Sequence, residues 1–200
     1  MNDYSFILAS TSPRRREMLE RAGFFFEVVA PPDDDNSRMA ELSPTTLVAD
    51  QALAKGRAVA SARPEEYVLA ADTVVVLYGR VMGKPADEAE ARVMLTDLAG
   101  RVHEVLTGFC LLRGEEIISR EVVRTKVEFR GLGSAEIEAY TATGSPLDKA
   151  GAYGIQDLGG GLVRAIEGSY TNVVGLPLAQ VIEALARVGV HPGRPGGRDK

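Results

Sequence analysis

The sequence predicts an α/β protein built on a mixed β-sheet, and three observations carry that reading. Strand-length apolar runs alternate with capped helix patterns in both halves of the chain, which is the signature of strands covered by helices. The centre is instead rich in β-branched residues broken by hairpin-type turns, which calls for antiparallel neighbours in the same sheet. A length of 200 residues fits one compact domain, with one or two lobes, that buries its own core.

The elements follow in order. Phe6-Ile7-Leu8-Ala9 has buried-strand length, and Ser12-Pro13 supplies a capping residue with proline at the first helical position, so a helix is expected to about Ala22 with Gly23 ending it. Phe24 to Val29 reads as a second strand, and Ala30 to Asn36 as a proline-stopped acidic loop. Ser43-Pro44 opens a helix to near Ala62. Tyr67 to Ala71 and Thr73 to Leu77 read as strand segments with Asp72 set between them; Tyr78-Gly79-Arg80 turns, and Gly83-Lys84-Pro85 closes a loop. Asp87 caps a helix from Glu88 to Leu98, stopped by Gly100. Val102 to Leu106, Phe109 to Leu112 and Ile117 to Phe129 are strands, with Gly108 and Arg113-Gly114-Glu115 as turns. Ser134 caps a short helix to about Ala142, a glycine-rich loop runs from Gly144 to Gly161, and a strand follows at Leu162 to Ile166. A last helix, Pro177 to Val188, aligns Leu178, Val181, Ile182 and Leu185 on one face. Residues 1–188 are expected to form the domain, and residues 189–200, rich in glycine and proline, a flexible tail.

Composition narrows the function. Hydrophobic residues at 45% and charged residues at 26% are globular usage, which excludes a mainly disordered chain. A net charge of −5 argues against general nucleic-acid affinity. No apolar stretch approaches the ~20 residues that span a bilayer, and Met1-Asn2-Asp3 is not a signal-peptide start, so no membrane role and a cytoplasmic location are expected. Cys110 is the single cysteine and His103 and His191 are the histidines, so a metal would have to be held by oxygen.

Three constellations carry chemistry. In the first, Arg14, Arg15 and Arg16 occupy the first turn of a helix, where the free N–H groups already carry partial positive charge. Either a phosphate compensates them, with Ser10 and Ser12 adding hydroxyls, or they fan into solvent above a serine cap. In the second, Asp72 within an apolar run either faces solvent or sits where open α/β sheets bind ligands. Lys55 and Lys84 could neutralise phosphate oxygens, and Asp33-Asp34-Asp35 could hold Mg²⁺ or Mn²⁺, although each is also an ordinary surface charge. In the third, Ser145 to Gln156 and Gly168 to Pro177 form long, weakly charged, glycine-bearing loops; the amide of Gln156 suits a base edge, while the alternative is a packed loop with Tyr153 and Tyr170 in the core.

These residues fall into a pattern. Leu8-Ala9-Ser10 with Ser12-Pro13-Arg14-Arg15, Ala71-Asp72-Thr73-Val74-Val75, Gly83-Lys84-Pro85, Thr107-Gly108, Asp148 to Gln156, and Val174-Gly175-Leu176-Pro177 strongly resemble the Maf family of nucleoside triphosphate pyrophosphatases, in order from Phe6 to about Val188. The resemblance implies an elongated Maf/ITPase-like fold with two lobes around a central cleft, a divalent metal cation, and hydrolysis of a nucleoside triphosphate to monophosphate and pyrophosphate. It implies Asp72 as the catalytic proton acceptor and Ser10, Arg15, Lys55 and Lys84 on the phosphate side, with Arg14 beside them on charge grounds. It further implies Arg15, Thr73 and Gln156 as the residues of base choice, in the branch that acts on dTTP and UTP, and Asp34 or Asp35 with Asp72 as metal ligands. Family members are often homodimers, and some are described as inhibitors of septum formation. The chain departs from the family at Ala54, where a glutamate often precedes the lysine. Two rivals stand beside this reading: a nucleotide-sensing regulator of division without turnover, and a sugar-nucleotide transferase, for which no second substrate site is marked.

Overall fold

Residues 5–32 and 42–193 are described by the computed structural model. Strand β1, Phe6–Ala9, is buried along its whole length and pairs in parallel with β2, Phe26–Val29, on one side and with β3, Tyr67–Leu77, on the other. The registers Ile7↔Val68 and Ala9↔Ala70 put strand faces rich in small and branched residues under helix α2, Pro44–Ala60. Strand β4, Arg80–Met82, pairs antiparallel with the far end of β3. Strands β5, Val102–Arg113, β6, Glu116–Phe129, and β7, Val163–Glu167, complete a mixed seven-stranded sheet in the order β2-β1-β3-β5-β6-β7, with β4 on β3. Helices α1, Pro13–Arg21, α3, Glu88–Leu98, α4, Ser134–Thr141, α5, Tyr170–Val174, and α6, Leu178–Arg187, flank it. The mixed α/β architecture is the one expected from the alternation of patterns.

The chain divides into two compact units, one drawn from Met1–Asp72, Gly108–Val122 and Gly175–Lys200, the other from Thr73–Thr107 and Val123–Val174. The first has a core of Ile7, Leu53, Val59, Val68, Cys110 and Leu112 between sheet and α2. Burial pushes the Cys110 thiol up to about 12, so it behaves as a small apolar group. The second has a core around Leu95, Leu98, Val127, Phe129 and Tyr153.

Several local expectations change. Asp72 does not separate two strands but lies inside the continuous β3. Gly108 is not a turn: it sits within β5 because α2 crosses close above it, and a Cβ there would lie 2.6 Å from the carbonyl oxygen of Val48. Asp87 and Ser43 cap as expected, accepting from the backbone N–H of Glu90 at 2.8 Å and Thr46 at 3.1 Å. Ser12 stands at the N-cap of α1 without a side-chain capping bond, and Gly133, not Ser134, is the N-cap of α4. Beyond Val188 the chain still packs as far as Gly193: Val190 is buried, and Gly193 N–H donates to the carbonyl of Gly23 at 2.9 Å. Among the described residues no helix is long and apolar enough to cross a membrane.

Candidate active site

Two sets of candidate residues form, one in each unit. In the first unit the strand-to-helix turn after β1 is organised by Ser10 and Arg15, both buried. Arg15 Nε donates to the carbonyl of Gly175 at 2.8 Å and its Nη1 to Ser10 Oγ at 3.3 Å, while Ser12 N–H donates to the same Oγ at 3.2 Å. With both lone pairs of Ser10 engaged, its hydroxyl meets any further group through its proton, which suits an anionic oxygen. The three arginines therefore separate. Arg16 is exposed and paired with Glu20 one turn on, Arg14 is half-buried, and Arg15 is turned inward to tie the β1–α1 turn to the segment that begins at Gly175.

In the same unit Lys55 from α2 donates to Asp72 Oδ1 from β3 at 2.5 Å, with both side chains largely covered. Two charges removed this far from water are retained only when paired, so each fixes the other's position. Ala54, at the position where a glutamate was noted as usual, is exposed, and the lysine that follows it reaches Asp72 without that neighbour.

The second unit begins one residue later. Thr73 is half-buried, and its Oγ1 lies 2.9 Å from Oγ1 of Thr107 on β5. Lys84 is exposed in the loop after β4, and the carbonyl of its neighbour Gly83 accepts from Gly151 N–H at 3.0 Å. Gly151 has φ +69°, and a Cβ there would come within 2.9 Å of the Val75 side chain. Only glycine fits both demands. That one residue joins the Gly83-Lys84-Pro85 loop, the Asp148-to-Gln156 segment and β3. Gln156 lies exposed in the turn that follows.

Lys149 is not among the site residues the sequence predicts, yet it organises the Asp148-to-Gln156 segment. Its ammonium donates to the Ser145 carbonyl at 2.7 Å and Asp148 Oδ1 at 2.6 Å and lies 3.6 Å from Asp157 Oδ2. The stem runs across Gly154, where a Cβ would lie 2.5 Å from Lys149 Cε. This strap closes the loop that carries Gln156; the available signal was a lysine within a long segment otherwise poor in charge. The packed-loop alternative holds for Tyr153, which is buried, and not for Tyr170, which is exposed.

Asp34 and Asp35 lie outside the described residues. Among the described residues no group of three or more His, Cys, Asp or Glu is placed to hold a metal ion, which leaves Asp72 as the carboxylate to be considered.

Comparison with known proteins adds to this geometry. The family model described as Maf-like protein matches residues 5–188. A dTTP/UTP pyrophosphatase from Moorella thermoacetica is 53% identical over 92% of this chain and 95% of its own, and one from Symbiobacterium thermophilum is 49% identical over 96% and 97%. Another from Desulfotalea psychrophila is 47% identical over 92% and 94%. Among solved structures, a nucleoside-triphosphatase (dITP/XTP pyrophosphatase) from Mycobacterium abscessus matches with a TM-score of 0.42 and 17% identity over 92% of this chain and 93% of that one, a likeness too slight to carry weight.

Proposed function

This chain belongs to the Maf family, and from that premise we propose that it is a nucleoside triphosphate pyrophosphatase that hydrolyses dTTP and UTP to the monophosphate and pyrophosphate. The relatives' shared name supports the activity and the bases. The observation within the chain that carries the mechanism is the covered Lys55–Asp72 pair, a carboxylate and an ammonium held 2.5 Å apart.

In this reading water attacks the α-phosphorus, the bond from that phosphorus to the bridging oxygen breaks, and pyrophosphate leaves while Asp72 accepts the proton of the water. Lys55 orients the carboxylate. A triphosphate brings about four negative charges, so an acidic protein must concentrate its donors locally. The hydroxyl of Ser10, the N–H groups at the start of α1, Arg14 and Lys84 are assigned to that task. Arg15, Thr73 and Gln156 are assigned to the choice of base, and Arg15 also shapes the turn that presents the phosphate donors. Asp72 also fits a hard divalent cation such as Mg²⁺ or Mn²⁺, which takes one or two carboxylates together with phosphate oxygens, and Asp34 or Asp35 would be the further ligand. When bound, that ion supplies charge neutralisation on the triphosphate. A cytoplasmic homodimer completes the proposal.

The test offers dTTP, UTP, CTP and 7-methyl-GTP at equal concentration, with Mg²⁺ or Mn²⁺, and measures monophosphate and pyrophosphate. Turnover of dTTP and UTP is expected. Preference for CTP or 7-methyl-GTP defeats the base assignment, and binding with no pyrophosphate from any of them favours the regulatory rival.

A further inference from the structure

Gln156 is the third residue of a turn, Gly154 to Asp157, in which the Asp157 N–H donates to the Gly154 carbonyl at 3.2 Å. The apex, Gln156 to Leu158, is exposed, whereas Gly154 and Gly159 at the two feet are buried. Tyr140, buried on α4, reaches both feet with its hydroxyl. That oxygen accepts from the Gly154 N–H at 3.2 Å, and it stands so near Gly159 that a Cβ there would lie 2.6 Å away. The feet also press on each other: the same Cβ would come within 2.7 Å of the Gly154 carbonyl oxygen. With the Lys149 stem already against Gly154, the turn is held at its base by α4 and by the strap, and its apex is left to solvent.

We infer that Tyr140 is a positioning residue for base recognition: its hydroxyl pins the foot of the turn and so fixes the backbone from which the Gln156 amide projects. This rests on the proposed reading of Gln156 as a residue of base choice. An amide on an exposed apex gains little from a base edge when the turn beneath it must be ordered at the moment of binding, because that ordering offsets much of the single hydrogen bond gained. A turn ordered beforehand by the core removes that cost. The Tyr140 ring serves the core in any case, packed in the cluster of Leu95, Leu98 and Phe129, and the inference concerns its hydroxyl. A phenol oxygen among apolar side chains needs a polar partner, and the Gly154 N–H is the one it meets there. Tyr140 touches no substrate in this scheme.

The test measures KM and kcat for UTP in wild type, Tyr140→Phe, Gln156→Ala and the double variant, together with inhibition by inorganic pyrophosphate. Tyr140→Phe keeps the ring and deletes the pin. It is expected to raise KM about fivefold, the scale of one hydrogen bond, with kcat and the pyrophosphate inhibition constant held within about twofold. In the Gln156→Ala background the same change is expected to add nothing, since Tyr140 acts through Gln156. A rise of the same size that persists in that background, or an unchanged KM in Tyr140→Phe beside a raised KM in Gln156→Ala, overturns the inference. Gly159→Ala sets a methyl group against the Tyr140 hydroxyl from the other foot of the turn, so where Tyr140→Phe does not fold, Gly159→Ala alone and combined with Gln156→Ala decides in the same way. No UTP turnover by wild type, or a wild-type KM in Gln156→Ala, overturns the proposed reading and the inference with it, whereas the earlier outcomes overturn the inference alone.

Discussion

His103 is nearly inaccessible on β5, with its ring edge-on to Phe129 at 4.9 Å and Tyr153 at 5.4 Å between centroids. Its Nε2 shares a hydrogen bond of 2.8 Å with the Tyr153 hydroxyl, and Nδ1 is buried without a partner. A second proton would place a charge against aromatic faces and an N–H with no acceptor, and burial accordingly holds the imidazole down at about 4 from its ordinary 6.5. The unfolded chain therefore binds the proton first as pH falls. Between pH 6.5 and about 4 the unfolded state holds more protons than the native one, so stability from this residue is complete above 6.5 and is lost progressively below it. The gap between the two values, at ~1.36 kcal/mol per pH unit, amounts to about 3 kcal/mol. Urea unfolding of wild type and His103→Gln, measured in steps from pH 7.5 to 4, isolates the effect because the carboxylates titrate in both. The wild-type curve should fall the more steeply, with the two free energies converging by about 3 kcal/mol at the acid end. Curves that stay parallel across the window would refute the assignment of a neutral, unpartnered imidazole to this core.

Other substitutions test other parts of the molecule. Asp72→Asn should cut pyrophosphate release by a factor of about 10² to 10⁴, the range for a lost acid–base group, with circular dichroism unchanged; near-normal turnover removes Asp72 from the mechanism. Gly108→Ala sets a Cβ against the Val48 backbone 2.6 Å away, and should lower unfolding free energy by about 1–3 kcal/mol; a wild-type denaturation midpoint would mean that α2 does not press on β5 there. Lys149→Met should leave stability within about 1 kcal/mol, since Asp148 and Asp157 are more than half exposed and regain water, yet raise the KM for UTP several-fold by loosening the Gln156 loop. An unchanged KM would separate that strap from the substrate.

The parts of the fold that were legible in the sequence are those set by neighbours along the chain. The apolar run at β1 with proline behind it, the Asp87 cap answered by Glu90 three residues on, and the apolar stripe of α6 each state their structure within one or two turns. What was not legible depends on contacts far along the chain. Gly108 reads as a turn by its own chemistry, and only the approach of a helix some sixty residues earlier makes it a strand residue. Asp72 reads as an interruption because a carboxylate is a poor strand former, and Lys55, brought over it by α2, is what permits it inside β3. The candidate site follows the same division. Its residue types could be picked out along the chain, but which arginine turns inward is decided by Gly175, and which lysine covers Asp72 is decided by the path of α2. A local sequence pattern names the groups that can donate or accept. Which partner each of them meets is fixed by segments distant along the chain, as Gly175 is for Arg15 and Lys55 for Asp72.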